Sequence, residues 1–366
     1  MIDSDLDRAV RELVGGEILV VQVTAREGLA YDTFLAGRSL ARVLGVARTS
    51  SSEIRWSLIE KVTDGPGLAS AYLYDNGRRE FLAYGSGVLR DLAPGVTAPL
   101  ALGRREARDG GLTLWLEDVA GADVRRLAGG DMLPTARDLG RLAGRWLERV
   151  PDVPWLFRDW IDRHAQPAAM QSGIYLLRAL RRPTLVEERV GQPIEAAVAL
   201  IEAQPTFRAV LESLPVTLCH HDAVAANVLL RDRAEGRETV LIDWESVGPG
   251  AIGADLASLV FSSVRRGDLD ASTVLPLVDG AIDAYADGMR DAGAAADPAL
   301  VRRGFDAAVG LRWTLVRDVA RAIDRDTTIF RGSARDEPPA EALRQLLDLT
   351  RLLFDSALRA LSKGVA

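Results

Sequence analysis

The chain has 366 residues, of which 48% are hydrophobic and 27% charged, so it can bury a large core and is long enough for two lobes. A net charge of −7 argues against the basic face that general nucleic-acid or anionic-membrane binding needs, and one cysteine, Cys219, excludes an internal disulfide or a cysteine-based zinc cluster. No apolar run reaches the roughly 18 residues of a membrane span and the acidic N-terminus lacks the features of a secretory signal, so we expect a cytoplasmic protein.

The first part of the chain, residues 1–119, is predicted to be a β-rich lobe. Four runs that are alternating or rich in β-branched residues are separated by Gly, Asp and Ser: EILVVQVTA, RSLARVLGVA, IRWSLIEKV and LTLWLEDV. Between the third and fourth runs, YDNGRREFLAYGSGVLRDL indicates a turn followed by a helix. We therefore expect an antiparallel sheet that carries one helix.

The second part, residues 120–366, is predicted to be mainly α-helical. Leu, Ala and Arg recur at spacings of three and four in ARDLGRLAGRWLERV, GIYLLRALRR, IEAAVALIEA, STVLPLVDGAIDAYADGMRDA and EALRQLLDLTRLLFDSALRAL. The exception is NVLLRDRAEGRETVLIDWE, whose two apolar runs flank a polar turn and predict a β-hairpin. The fold class is thus α+β, with two domains.

Lysine is scarce in this sequence and is therefore informative. The 45 basic residues include only Lys61 and Lys363, a bias typical of a GC-rich genome. Lys363 lies in the C-terminal tail, but Lys61 ends a strand-like run in which Arg would serve if only charge were needed. We infer that its position favours a compact ammonium group, although a solvated edge lysine is the alternative.

Scarce residues also gather in LCHHDAVAANVLL, residues 218–230, which holds two of the three histidines, the cysteine and one of two asparagines. His220, Asp222 and Asn227 form H-x-D-x-x-x-x-N, and Asp243 follows sixteen residues later in LIDWE. In phosphoryl transfer a loop Asp can accept the proton of the nucleophile, while an Asn and a second Asp can supply oxygen ligands to Mg²⁺. A zinc site is the alternative interpretation of HHD, and the absence of C-x-x-C and H-E-x-x-H motifs disfavours it.

On these motifs the sequence resembles the aminoglycoside phosphotransferase and choline kinase-like family. The resemblance implies a bilobal protein kinase-like fold with ATP bound in the crease. It also implies that Asp222 is the catalytic base, that His220 orders the loop, and that Asn227 and Asp243 bind the metal. Asp255, in GPGAIGADLASLV, would hold the catalytic loop by hydrogen bonds.

The same resemblance extends towards the N-terminus. Lys61 falls at the family's phosphate-binding lysine and Glu80 at its ion-pair partner on a helix, although Glu80 could also be part of a charged helix start. LWLEDV resembles the hinge, where Glu117 and Val119 would offer backbone groups to adenine.

The sequence departs from the family pattern in two places. His221 stands where the signature usually has Gly, which puts a bulky, titratable side chain beside Asp222. The nucleotide loop, residues 25–39, is long, with Gly28 and Gly37 far apart instead of a compact Gly-rich turn. We consider His221 and Glu245, the residue after the I-D-W motif, as candidate substrate contacts.

An acidic segment bears on the phosphoryl acceptor. Residues 268–297 hold seven Asp and one Arg, a net charge of −6, and Asp279, Asp283 and Asp287 recur every four residues on one helical face. Such a face could recruit a cationic substrate, and a solvated outer surface is the alternative.

The sequence therefore predicts an ATP- and Mg²⁺-dependent kinase that phosphorylates a hydroxyl group of a small molecule, such as an aminoglycoside or an amino sugar. Two alternatives remain open. The chain could phosphorylate Ser or Thr of a peptide in natural-product biosynthesis, with a peptide or protein partner, or it could be a nucleotide-binding pseudokinase scaffold. The intact set of Lys61, Asp222, Asn227 and Asp243 disfavours the pseudokinase.

Overall fold

A computed structural model describes residues 3–29, 37–65, 77–120, 123–234, 236–332 and 336–362. The helices are α1 Ser4–Val14, α2 Arg78–Ser86, α3 Met132–Trp146, α4 Pro167–Arg178, α5 Pro183–Val190, α6 Ile194–Glu202, α7 Gln204–Glu212, α8 Ala254–Ala257, α9 Ser263–Arg266, α10 Ala271–Val274, α11 Val278–Asp291, α12 Pro298–Gly310, α13 Thr314–Arg325 and α14 Pro339–Ser362. The strands are β1 Val20–Gly28, β2 Arg38–Arg48, β3 Glu53–Thr63, β4 Val96–Thr97, β5 Ala101–Glu106, β6 Leu112–Glu117, β7 Val124–Arg126, β8 Val216–Cys219, β9 Val228–Arg233, β10 Gly236–Leu241 and β11 Gly248–Ala251. The predicted α+β class is confirmed.

The chain forms two compact units. The first contains Met1–Asp91, Thr97–Arg125 and Arg231–Glu245, and the second contains Leu92–Val96, Arg126–Leu230 and Ser246–Ala366. These units differ from a single division after residue 119, because the chain returns to the first unit for Arg231–Glu245. The predicted hairpin forms as β9 and β10, which are neighbours in one sheet.

An antiparallel five-stranded sheet, in the order β1-β2-β3-β6-β5, dominates the first unit. The four predicted strands are present, and β5 is an additional edge strand. In the register of this sheet Lys61 lies between Leu40 of β2 and Leu114 of β6. Because side chains alternate along a strand, Trp56 and Leu58 of β3 point to the opposite face from Lys61.

Helix α1, which the sequence prediction did not include, covers that opposite face. Its N-cap is Asp3, whose carboxylate accepts hydrogen bonds from the amides of Asp5 and Leu6. Leu6 and Val10 of α1 belong to the same buried cluster as Leu58 and Trp115 of the sheet. Each large apolar side chain buried in this way contributes roughly 1.5–3 kcal/mol to folding. The cluster therefore stabilises the packing of α1 on the face of the sheet opposite Lys61.

The second unit is mainly helical, as predicted, and is centred on the packing of α3 against α11. A Cβ atom at Gly140 would lie 2.0 Å from the carbonyl oxygen of Tyr285, and one at Gly288 would lie 1.9 Å from that of Arg137. Glycine at both positions therefore allows the two helices to approach closely. Within the described residues, no helix is both long enough and apolar enough to cross a membrane.

Candidate active site

Lys61 is the centre of a buried charge cluster in the first unit. Only 9% of its side chain is exposed. Its Nζ donates a hydrogen bond to Asp243 Oδ1 at 2.8 Å and forms an ion pair with Glu80. Strand β3 supplies the lysine, α2 supplies Glu80, and Asp243 follows strand β10. The structure thus brings together three residues that the sequence separates by as many as 182 positions.

Burial dominates the electrostatics of Glu80. It raises the pKa of this carboxyl to about 7, while the adjacent Lys61 ammonium opposes that shift and the nearby Asp243 carboxylate adds to it. The backbone amide of Trp244 donates to Glu80 Oε1 at 3.3 Å. The charged form of Glu80 therefore needs Lys61 as its counter-charge, and the ion pair with Glu80 positions the lysine side chain.

Asp243 lies directly after β10 with a backbone φ of +62°, a left-handed conformation that few residues other than glycine adopt. Two residues later, Glu245 forms a two-pronged ion pair with Arg38 of β2, with N–O distances of 2.7 and 2.6 Å. Arg79 of α2 donates to the backbone carbonyl of Glu245 at 2.8 Å. Glu245 is only 6% exposed, so its carboxylate supports the Asp243 segment and offers little surface to a substrate.

The candidate hinge lies at the end of β6. The amide of Glu117 donates to the carbonyl of Leu100 at 2.9 Å, and its carboxylate bonds to Arg231 Nη1 at 2.8 Å. The Glu117 amide is therefore already used within the fold. The groups that remain as candidates for adenine are the Glu117 carbonyl and the backbone of the half-buried Val119. Residues 30–36 of the nucleotide loop lie outside the described residues.

A sharp loop in the second unit connects β8 to β9 and contains the H-x-D-x-x-x-x-N motif. Asp255 of α8 accepts hydrogen bonds from the amides of His220, at 2.9 Å, and His221, at 2.8 Å. Burial raises the pKa of Asp255 to about 6, and these two hydrogen bonds oppose the shift. The Nδ1 atom of buried His220 accepts from the amide of Asp222 at 3.3 Å, so both residues fix the backbone of the loop.

Asp222 and Asn227 meet at the end of this loop. Asn227 Nδ2 donates to the backbone carbonyl of Asp222 at 2.9 Å and to its Oδ2 at 3.0 Å. Both side chains are half-buried. The arrangement places a carboxylate and an amide within one hydrogen bond of each other and holds Asp222 in a defined orientation.

His221 adopts the left-handed conformation, with φ +61°, at the position where the family signature usually has Gly. Its ring stacks on Trp160 with 4.6 Å between centroids, and its Nε2 hydrogen-bonds with the carbonyl of Pro249 at 3.1 Å. The close packing of His221 therefore offsets a backbone conformation that disfavours a large side chain.

We expect the stability advantage of the wild type over the variant His221→Asn to depend on pH. Asn tolerates a positive φ, so the backbone strain changes little. Burial lowers the pKa of His221 from 6.5 to about 3, so the unfolded chain binds a proton that the folded chain does not. The contribution of His221 to the free energy of unfolding is therefore complete above pH 6.5. It is lost as the pH falls from 6.5 towards about 3. Urea unfolding of both proteins across the window measures this, and a difference that is independent of pH would contradict it.

Cys219, His221 and Asp255 place potential metal-binding atoms within 4.8 Å of one another. Hydrogen bonds already engage these atoms: both Asp255 oxygens accept backbone amides, and His221 Nε2 bonds to Pro249. Burial also raises the pKa of the Cys219 thiol, which disfavours the thiolate that binds metals. We interpret the three residues as part of the packing of the loop.

The acidic face predicted from the sequence lies on α11. Asp279 forms an ion pair with Arg302 and Asp287 forms one with Arg290, whereas Asp283 is exposed and has no ion-pair partner among the described residues. Local arginines thus neutralise much of this face.

Three residues that support the predicted site residues, one in the first unit and two in the second, were not predicted from the sequence. Arg38 holds Glu245, Trp160 stacks on His221, and Arg312 donates to Ser258 Oγ at 3.2 Å, which in turn donates to the carbonyl of His221 at 3.0 Å. Burial lowers the pKa of Arg312 to about 10, and the nearby Arg265 contributes in the same direction. Trp160 lies in the aromatic-rich run PWLFRDW, which could have drawn attention to it, but no local pattern points to Arg38 or Arg312.

The sequence model of the phosphotransferase enzyme family matches residues 79–295, more than half of the chain. The chain belongs to this family. The predicted family resemblance and the predicted enzyme class, a phosphotransferase, are therefore confirmed. The match includes Glu80, Asp222, Asn227 and Asp243, but it begins after Lys61, whose assignment depends on the geometry of the first unit.

Three solved structures are similar to this chain. A microcompartment-associated aminopropanol kinase is 17% identical, with a TM-score of 0.50 and 98% of each chain covered. The amicoumacin kinase hAmiN, solved with AMP-PNP, Ca²⁺ and Ami, is 16% identical, with a TM-score of 0.48 over 91% of this chain and 88% of that one. A thermostable mutant of aminoglycoside phosphotransferase APH(4)-Ia is 15% identical, with a TM-score of 0.44 over 90% and 94%. The likeness to the first confirms the predicted kinase fold, whereas no curated protein matches the sequence significantly.

Proposed function

We propose that this phosphotransferase moves the γ-phosphoryl group of ATP, with Mg²⁺, to a hydroxyl group of a small molecule. The observation that carries the proposal is the contact of Lys61 Nζ with both Glu80 and Asp243. Two carboxylates hold this lysine in place, and phosphoryl transfer needs a positioned cation for the phosphates of the nucleotide. The cytoplasmic location stays a prediction.

The donor atoms of the two proposed metal ligands, Asn227 and Asp243, are of a type that suits a magnesium ion. Hydrogen bonds of Asn227 within the described part of the chain use its amide nitrogen, which leaves the amide oxygen for a cation. Asp243 contributes a carboxylate whose side chain is 28% exposed. Carboxylate and amide oxygens are suitable ligands for Mg²⁺, which when bound would neutralise charge on the transferred phosphoryl group.

Asp222 is proposed as the residue that accepts the proton of the acceptor hydroxyl. Its orientation is fixed by Asn227, and the loop that carries it is fixed by the two amide bonds to Asp255. Because positioning supplies most of the rate in phosphoryl transfer, a rigid loop is the property that the reaction requires.

The experiment that tests the proposal is a transfer assay with γ-labelled ATP and purified protein. The acceptors are aminoglycosides, amino sugars, small amino alcohols such as aminopropanol, and Ser- or Thr-containing peptides. We expect Mg²⁺-dependent labelling of a small molecule. Labelling of peptides alone would favour the peptide kinase, and nucleotide binding without transfer to any acceptor would favour the pseudokinase.

If the acceptor is cationic, the acidic face of α11 should assist its binding. Replacing Asp279, Asp283 and Asp287 together by Asn is then expected to raise the acceptor KM while kcat stays within a few-fold, because uniform binding is lost and transition-state contacts are kept. Steady-state kinetics at low and high salt measure this, since salt screens exposed charges. An acceptor KM equal to that of the wild type at low salt would identify the face as an ordinary solvated surface.

A further inference from the structure

A cavity of about 390 Å³ lies within the second unit, where α13 and the segment that follows it meet Leu346 of α14. Its size falls in the lower part of the range of about 300–1,000 Å³ that is typical of small-molecule sites. None of the residues that line it belongs to the cluster around Lys61 or to the loop that carries Asp222. The cavity is therefore a feature for which the proposed reaction gives no role.

The charged residues that line this cavity are mostly arginines. Arg321 and Arg325 lie one turn apart on α13, both exposed, and neither has an ion-pair partner among the described residues. Arg265 also lines the cavity, and the Asp318 carboxylate beside it is shared with Arg317. Three arginines and one aspartate give the lining a net charge of +2, in a chain whose net charge is −7.

The C-terminal end of a helix normally disfavours anion binding, because its last carbonyl groups carry partial negative charge. Here those carbonyls are occupied. Arg182 donates to the carbonyls of Ile323 and Asp324 at 2.6 and 2.8 Å, and the amide of Thr327 donates to that of Ala322 at 3.0 Å. These hydrogen bonds offset part of the negative charge at this end of α13.

Apolar side chains also line the cavity. They include Leu315, Ile329 and Leu346, together with Phe330, which is 62% exposed. A large aromatic side chain exposed to water, in a cavity whose Arg321 and Arg325 have no ion-pair partner among the described residues, matches a ligand that has both an anionic and an apolar part. Thr327 and Thr328, which carry hydroxyl groups, line the same cavity.

We propose that this cavity binds a small organic anion, a phosphate or carboxylate group attached to an apolar or aromatic body. Arg321 and Arg325 bind the anionic group by charge-assisted hydrogen bonds, and Phe330 packs against the apolar body. The proposal does not depend on phosphoryl transfer, because it concerns residues outside the proposed active site.

Calorimetric titration of the full chain with phenyl phosphate, in the absence of nucleotide and at low salt, tests the proposal. Phenol and inorganic phosphate serve as the apolar-only and anion-only probes. We expect phenyl phosphate to bind more tightly than either, and the double variant Arg321→Gln with Arg325→Gln to raise its Kd by about tenfold or more, since charge-assisted hydrogen bonds are the stronger class. The variant Phe330→Ala should raise the Kd for phenyl phosphate but leave the Kd for inorganic phosphate unchanged.

The matched control is Arg8→Gln with Arg48→Gln, which removes the same charge from exposed, ion-paired positions outside the cavity. Its Kd for phenyl phosphate should equal that of the wild type. The proposal is overturned if the wild type does not bind phenyl phosphate, if the control weakens binding as much as the cavity variant, or if phenol binds as tightly. If the double variant is unstable, the Phe330→Ala protein still tests the proposal, provided that its Tm equals that of the wild type.

Discussion

Replacing Asp222 by Asn is expected to lower kcat by a factor of roughly 10²–10⁴, the usual contribution of a general base. An amide cannot accept the proton of the acceptor hydroxyl. The substitution preserves shape, because the hydrogen bond from Asn227 to the backbone carbonyl of Asp222 is unaffected and the new amide oxygen can accept the second one. Steady-state kinetics with the acceptor found in the transfer assay measure the loss.

The same protein should still bind Mg²⁺-ATP, since Lys61, Asn227 and Asp243 are intact. Asp232→Asn is the matched control, because this carboxylate lies on β9 and is exposed. We expect the control to keep wild-type kcat. A kcat near the wild-type value for Asp222→Asn would show that another group accepts the proton, and a loss of nucleotide binding would show that Asp222 has a structural role.

Replacing Lys61 by Arg is expected to lower kcat/KM for ATP at least tenfold, about 1.4 kcal/mol or more of transition-state stabilisation. The substitution keeps the charge, but a planar guanidinium must then fit where a compact ammonium contacts both Glu80 and Asp243. Only 9% of the Lys61 side chain is exposed, so the larger group has little room.

Arg55→Lys is the control for this change, because it exchanges the same two residue types at an exposed position of the same strand. Its kcat/KM should stay within twofold of the wild type, since exposed substitutions have small effects. A wild-type kcat/KM for the Lys61→Arg protein would show that Lys61 is an ordinary strand lysine. The main support for its phosphate-binding role would then be lost.

Much of the fold could be predicted from local patterns. Alternation in β3 separates Trp56 and Leu58 from Lys61, and the structure places them on opposite faces of the sheet. Two elements were not predicted for different reasons. Helix α1 carries a helical apolar spacing at Leu6, Ala9 and Val10, but it is short and highly charged, and only contact with the sheet explains its stability. Strand β5 is a charged edge strand with one buried side chain, Leu102, so its alternation is weak.

The candidate site was partly predictable because H-x-D-x-x-x-x-N is a local motif. Its supports come from distant segments. Asp255 bonds to residues about 35 positions earlier, and Arg38 pairs with Glu245 across 207 positions. No periodicity encodes such pairs, so the sequence does not predict that Arg38 is the partner of Glu245. The ion pair of Asp279 likewise could not be predicted from local sequence, because Arg302 lies on another helix.

The most direct measurement of the central claim is the thermal unfolding of the wild type with ATP, Mg²⁺ and EDTA. A ligand that binds only the folded state stabilises it by about 2.7 kcal/mol at a hundredfold excess over Kd. We predict that Mg²⁺-ATP raises the Tm, that EDTA cancels most of the rise, and that Asp243→Ala abolishes the metal-dependent part while the exposed control Asp232→Ala keeps it. A rise in Tm that EDTA does not change, or that Asp243→Ala retains in full, would contradict the assignment of Asp243 to a magnesium–nucleotide site.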